Sequence, residues 1–147
     1  MSAPARKIAA DTALFLLDLA NHDHLVPVDP VPLRVALLPV LRSYIESRLG
    51  EPGLSPTSIA AANAISLRTL HATFAADEES VSSYIRRRRL ENSYRDLIAD
   101  PDLAVARIAV RWGFTNPGNF TRAFRVTFGV SPTEVRSDAL RPEESVS

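Results

Sequence analysis

Apolar residues return every three to four positions along most of the chain, and turn-forming residues cut that rhythm into short helical stretches. Ile8, Thr12, Phe15, Leu16 and Leu19 form one stripe, which predicts an amphipathic helix over Ile8–Ala20. The segment from Asn21 to Pro32 holds Pro27, Pro30 and Pro32 and reads as a linker or an ordered proline-rich crossing. Leu37, Leu41, Tyr44, Ile45 and Leu49 predict a helix over Leu33–Leu49, stopped by Gly50 and Pro52-Gly53. Ser55-Pro56 places a capping residue and a proline at the start of the next helix, which runs to about Ala64. Ser66 caps a helix from Leu67 to about Ala76, Ser80 opens one running to about Ala99, and another covers Ala104 to Trp112. Asn116-Pro117 opens a helix that ends at Gly129, and Ser131-Pro132 opens a last short turn. Nothing alternates with the period of two that a strand needs, so the fold class is all-α. Periodicity lapses from Leu140, and residues 139–147 read as a disordered tail.

Two stretches share one grammar. Ile59-Ala-Ala-Ala-Asn-Ala-Ile65 precedes Ser66-Leu-Arg-Thr-Leu70 and Phe74; Ile108-Ala-Val-Arg-Trp-Gly-Phe114 precedes Thr115-Asn-Pro-Gly-Asn-Phe120 and Phe124. Each is a short helix with a small residue inside it (Ala60 or Ala61, then Ala109), a tight turn, and a capped second helix. A small residue lets two helices cross closely, which is what a helix-turn-helix requires. Gly113 supplies a left-handed backbone for the second turn. Ala64 stands at the matching place in the first, so either Asn63 takes that conformation or the turn differs.

The wheel of the Pro117–Gly129 helix puts Phe120, Ala123, Phe124 and Phe128 on the core side. Gly118, Thr121, Arg122 and Arg125 face out, with Asn119 at the edge and Asn116 at the start. Arginine can bind guanine bidentately, asparagine can bind adenine, and threonine can reach a phosphate or a thymine methyl. The blander reading is a solvated surface, as on any exposed helix. In the Leu67–Ala76 helix, Leu67, Leu70 and Phe74 are expected inside and Arg68, Ala72 and Ala75 outside. Thr69 and His71 lie to the sides, and His71 also reads as a plain surface histidine.

The helix from Ser80 to Ala99 changes its apolar side midway. Val81, Tyr84 and Ile85 lie on one face of its first half; Leu90, Tyr94, Leu97 and Ile98 lie on nearly the opposite face of its second. It is expected to bridge two bodies, and about 20 residues of helix give about 30 Å, close to one turn of DNA. Within Arg86-Arg87-Arg88-Arg89, a 100° step per residue puts Arg88 on the Val81/Ile85 side, where it packs or pairs internally. The other three are candidates for phosphate contact. The competing reading is a solvated charge run with a local Arg87–Glu91 pair.

Charge adds little by its total, with 17 basic and 17 acidic residues among 147. Its distribution says more: Ser55–Arg136 holds eleven arginines and no lysine against eight acidic residues, and arginine is the cation suited to phosphate and guanine. There is no cysteine, which excludes disulfides and thiolate metal sites and fits a reducing compartment. No apolar run is long enough for a membrane span, and the N-terminus lacks the pattern of a signal peptide, so a cytoplasmic location is expected. Paired carboxylates in a cleft, a nucleophile–base pair and a phosphate loop are all missing, so no enzyme and no cofactor are expected. His22, Asp23 and His24 lack a further clustered ligand for a metal.

Together these residues resemble the DNA-binding domain of the AraC/XylS family of transcriptional regulators. The likeness is carried by Tyr84-Ile-Arg-Arg-Arg-Arg-Leu90, Ile108-Ala109, Trp112-Gly-Phe114, Phe120-Thr-Arg-Ala-Phe124, Phe128-Gly-Val-Ser-Pro132 and Arg136. It extends more loosely back to Leu33 through Leu54-Ser-Pro56 and Ser66-Leu-Arg-Thr-Leu-His71. The resemblance implies a tandem helix-turn-helix domain over residues 33–138: a first subdomain at 33–79, a linker helix at 80–99 and a second subdomain at 100–138. It implies binding to double-stranded promoter DNA, as activator or repressor, with RNA polymerase as a further partner. Arg68, Thr69, His71 and Ala72, then Pro117, Gly118, Asn119 and Arg122, match the family's base-reading positions. Ala72 stands where relatives often carry a longer polar side chain. Residues 1–32 are expected to form an N-terminal helix and proline-rich linker, with the sensor domain of many relatives expected to be missing. Ile8–Ala20 is expected either to make a homodimer or to dock on the DNA-binding body. The alternative function is a shortened interaction module that pairs with full-length regulators and modulates them.

Overall fold

A computed structural model describes residues 30–141. Among these the chain forms seven helices and no strand: α1 Pro30–Glu46, α2 Pro56–Ala62, α3 Leu67–Ala75, α4 Val81–Ala99, α5 Val105–Arg111, α6 Pro117–Phe128 and α7 Pro132–Leu140. The Ile8–Ala20 helix, the His22–His24 segment and most of the tail lie outside the described residues. Two elements differ from what the apolar periodicity indicated: α1 has the expected 17 residues but begins and ends three residues earlier, and the last helix is longer. Pro30 and Pro32 belong to α1 rather than to a linker, because a proline in the first turn gives up only an N–H that has no partner inside the helix. The final turn after Ser131 extends to a helix of nine residues.

The helix starts follow from their caps. The side-chain oxygens of Ser55, Ser66, Ser80, Asn116 and Ser131 each accept a hydrogen bond from a backbone N–H three residues on, satisfying donors that have no partner in the first turn. Ser55 and Ser131 make reciprocal capping boxes with Ser58 and Glu134.

The chain divides into two compact units. The first runs to Arg48 and includes Leu54–Tyr84; the second takes Leu49–Gly53 and everything from Ile85 onward. In the first, α1, α2 and α3 pack on one another around Leu41, Ile45, Ile59, Leu70, Phe74 and Val81, all fully buried. Phe74 packs on Tyr84 with ring centroids 5.6 Å apart, and the Tyr84 hydroxyl donates to Glu46 Oε1 at 2.9 Å.

The second unit closes around Leu90, Leu97, Ile108, Ala109, Phe120, Ala123, Phe124 and Val135. Aromatic rings dominate it: Phe114 meets Phe120 at 4.9 Å, Phe120 meets Phe124 at 5.7 Å, and Phe124 meets Phe128 at 4.7 Å. Tyr94 lies nearly parallel to Phe124. Burying rings of this size in mutual contact is the main stabilising term of such a small body. Helix α4 is unbroken over 19 residues, with its first four in one unit and the remainder in the other. Its buried residues switch face as the periodicity predicted, except that Ile98 is 50% exposed. Ile98 sits in the last turn of the helix.

Candidate nucleic-acid interface

Each unit presents a second helix through the same turn, made twice. In the first, the Ile65 N–H donates to the Ala60 carbonyl at 3.1 Å and the Ala64 N–H to the Ala61 carbonyl at 3.2 Å; in the second, Phe114 donates to Ala109 and Gly113 to Val110, both at 3.0 Å. These are the two bonds of a Schellman motif, which needs a left-handed residue just past the helix end. Gly113 fills that place at φ 84 and Ala64 at φ 52. Asn63 does not take the conformation: it stays at φ −99 and its Nδ2 donates to the Ile59 carbonyl at 2.8 Å. The first turn therefore matches the second and retains an alanine strain of about 1–2 kcal/mol. Ala60 and Ala109 are buried where the helices cross, while Ala61 is exposed.

Aligned on their caps, Ser66 and Asn116, the second helices pair off residue by residue. Leu70 and Phe74 match Phe120 and Phe124, and all four are buried. Thr73 matches Ala123; it is buried too, and its hydroxyl is satisfied by donating to the Thr69 carbonyl at 2.7 Å. Leu67 matches Pro117 and is 43% exposed rather than inside, since the first residue of α3 precedes the turn that meets the core. The outward faces differ. On α3 they carry Arg68, His71 and Ala75, all exposed, with Ala72 half-buried. On α6 they carry Gly118, Asn119, Thr121, Arg122 and Arg125, all exposed. The long side chain thus stands in the first turn of α3 and in the second turn of α6.

Some candidate groups are already engaged. Asn116 Oδ1 accepts from the Asn119 N–H at 3.1 Å, so the oxygen is a cap and the amide nitrogen remains to face outward. The Thr69 hydroxyl shares a hydrogen with the Ser66 hydroxyl at 2.9 Å and is part of the α3 cap. Arg125 feels the negative charge of Glu134. Arg68, His71, Thr121 and Arg122 have no side-chain hydrogen-bond or ion-pair partner among the described residues.

The arginine run separates by role. Arg86 is exposed. Arg87 Nη1 donates to Glu91 Oε1 at 3.0 Å, and Arg88 pairs with the same carboxylate, so Arg88 is paired internally as its position on the wheel required. Arg89, a candidate for phosphate contact by its place in the run, turns inward instead. Its Nε donates to the Leu49 carbonyl at 2.8 Å and its Nη2 to the Glu51 carbonyl at 2.6 Å. Burial pushes its pKa down from the usual arginine value. A helical wheel cannot show that the Leu49–Gly53 turn brings two free carbonyls to this position. Arg136 acts in the same way at the far end of α4: its guanidinium donates to the carbonyls of Leu97, Asp100 and Pro101 at 3.0, 3.2 and 2.9 Å. A cation there meets acceptors left over at the helix C-terminus and the negative end of its dipole. Asp96 ties α4 to α5, accepting from Arg111 at 3.0 Å and from the Trp112 indole at 2.8 Å.

Comparison with known proteins bears on the pair of turns directly. A family described as a helix-turn-helix domain matches residues 59–138, which include both. The chain belongs to the AraC/XylS-type helix-turn-helix family. This AraC-type chain is 33% identical over 142 residues to the transcriptional activator NphR of a Rhodococcus species, across 96% of this chain and 42% of that one. It is 32% identical to the probable thc operon regulatory protein of Rhodococcus erythropolis, across 81% of this chain and 37% of that one. It therefore spans about two fifths of the length of these curated relatives. Among solved structures it is similar to a probable AraC family transcriptional regulator from Rhodopseudomonas palustris: 30% identity, a TM-score of 0.60, and coverage of 69% of this chain and 94% of that one. The C-terminal domain of AraT, a response regulator from Geobacillus stearothermophilus, shares the fold at 24% identity with a TM-score of 0.65, covering 71% of this chain and 87% of that one. The family is one of transcription regulators, not enzymes. No described helix is long and apolar enough to cross a membrane.

Proposed function

We propose that the chain is a sequence-specific reader of promoter DNA, with α3 and α6 entering successive major grooves. The observation that carries this reading is the outward face of α6. Thr121 and Arg122 stand exposed on a rigid, capped helix with no partner among the described residues, while Arg89, Arg111 and Arg136 are bonded within the fold. A side chain held out by a packed scaffold and left unpaired is available to a ligand, and a guanidinium offers guanine two parallel donors. Arg68 and His71 form the corresponding face of α3. Arg86 on α4 and Arg125 supply phosphate contacts, and Arg87 joins them by exchanging its Glu91 partner for a phosphate; Asn116, Gly118, Asn119 and Thr69 set how the helix starts approach the groove.

The sign of regulation is proposed as activation, because relatives such as NphR carry that description. Contact with RNA polymerase, homodimer formation through Ile8–Ala20 and a cytoplasmic place of action complete the proposal. Size measurement with and without residues 1–25 tests the dimer, and a monomer in both cases removes it.

The decisive experiment on the reading face is selection of duplexes from a random pool, followed by Arg122→Ala. The variant should lose about 1–3 kcal/mol of preference at one base pair while its thermal midpoint stays unchanged. If it binds selected and random duplexes as the parent does, α6 is not the reader.

A further inference from the structure

Pro117, Gly118, Thr121, Arg122, Arg125 and Val126 line one shallow depression open to solvent. From Gly118 onward they fall at the i, i+3, i+4, i+7 and i+8 spacing of a single helix stripe, with Pro117 at its start. The floor is largely apolar: the ring of Pro117, bare backbone at Gly118, the methyl of Thr121 and the isopropyl of Val126. Val126 is 81% exposed, yet α6 already commits Phe120, Ala123 and Phe124 to the core, so internal packing does not account for a valine there. Gly118 keeps the hollow open. A Cβ at that position would come 3.2 Å from Asn116 Oδ1, the atom that caps the helix. In the first unit the matching positions are Arg68 on α3 and Ala76, the residue that caps its end, a long charged side chain and a methyl.

We propose that this depression seats the C5-methyl of a thymine beside a guanine held by Arg122. The proposal rests on the DNA-reading function above and names the bases. The thymine methyl is the one apolar group presented on a base edge in the major groove. An open, largely apolar depression with guanidiniums on its rim suits a base edge that carries a methyl, and the phosphates flanking it, better than it suits another apolar protein surface.

The test begins with a duplex selected by the full chain. Each thymine of the protected site is replaced in turn by uracil, which removes only the methyl, and binding is followed by fluorescence anisotropy. One thymine next to the Arg122-dependent guanine should be sensitive, with binding about fourfold weaker, the effect of returning one methyl to water. Val126→Ser should weaken binding to the thymine duplex by a similar factor and be indifferent to uracil at that position, with an unchanged thermal midpoint. A parent insensitive to every replacement, or a Val126→Ser chain as sensitive as the parent, overturns the proposal and leaves DNA reading intact. A Val126→Ser chain that binds DNA normally but fails in transcription assigns the hollow to a protein partner and also overturns it. If no duplex is selected at all, the reading function fails first.

Discussion

The paired turns allow one perturbation to be worked through in both directions. At position 113 an alanine must adopt φ near 84, and its Cβ would lie 2.8 Å from Cζ and Nη2 of Arg89. Left-handed strain costs about 1–2 kcal/mol, partly offset by about 0.5–1 kcal/mol from a less flexible unfolded chain. The guanidinium cannot simply move aside, because it is anchored on the Leu49 and Glu51 carbonyls. Losing those charge-assisted bonds adds about 1.5–3 kcal/mol. Gly113→Ala should therefore destabilise the second unit by about 2–4 kcal/mol. At position 64 the same ledger runs the other way: Ala64→Gly removes strain, adds unfolded entropy, and should stabilise the first unit by about 0.5 kcal/mol. Urea unfolding followed by fluorescence of Trp112, the single tryptophan, reports on the second unit from the residue adjoining Gly113, and helical circular dichroism follows the first. In an Arg89→Ala background, Gly113→Ala should cost only its strain, about 1 kcal/mol. An equal cost in both backgrounds, or a loss of stability from Ala64→Gly, would refute the account of these turns.

Two further outcomes follow from the capping groups. Arg136→Ala frees three carbonyls at the end of α4 and should lower stability by about 2–3 kcal/mol in urea titrations; Arg136→Lys should recover less than half of it, since an ammonium lacks the planar fork. Glu134 receives the Ser131 N–H at 2.6 Å; that bond first, then the Ser131 hydroxyl and the Arg125 charge, holds its carboxyl below the usual glutamate range. A depressed folded-state pKa contributes stability at neutral pH and loses it as pH falls through that pKa. The difference in thermal midpoint between parent and Glu134→Gln should thus close as pH drops below about 4.3.

The helices were legible because five of them announce their starts with a serine or asparagine, and because Phe120, Phe124, Leu70 and Phe74 recur at a clean interval of four. The outward face of α6 followed from the same periodicity. What the sequence hid lies at helix ends and across long separations. Leu67 and Ile98 keep the helical period yet stand exposed in the first and last turns of their helices. The inward turn of Arg89 depends on carbonyls 38 and 40 residues away, and the anchor role of Arg136 on ones 35 to 39 residues away. No local pattern encodes such partners. The same limit applies to Ala64, whose conformation is set by the Schellman bonds around it and not by its own preference.

The inward arginines also bear on how the chain meets its ligand in salt. Six of the eleven guanidiniums between Ser55 and Arg136 already hold carbonyls, carboxylates or an amide of the protein itself. Counterion release scales with phosphates neutralised, not with basic residues in the sequence. Such a body would grip random duplex weakly and leave it quickly at physiological ionic strength, so most of its residence at any site must come from the bases it fits.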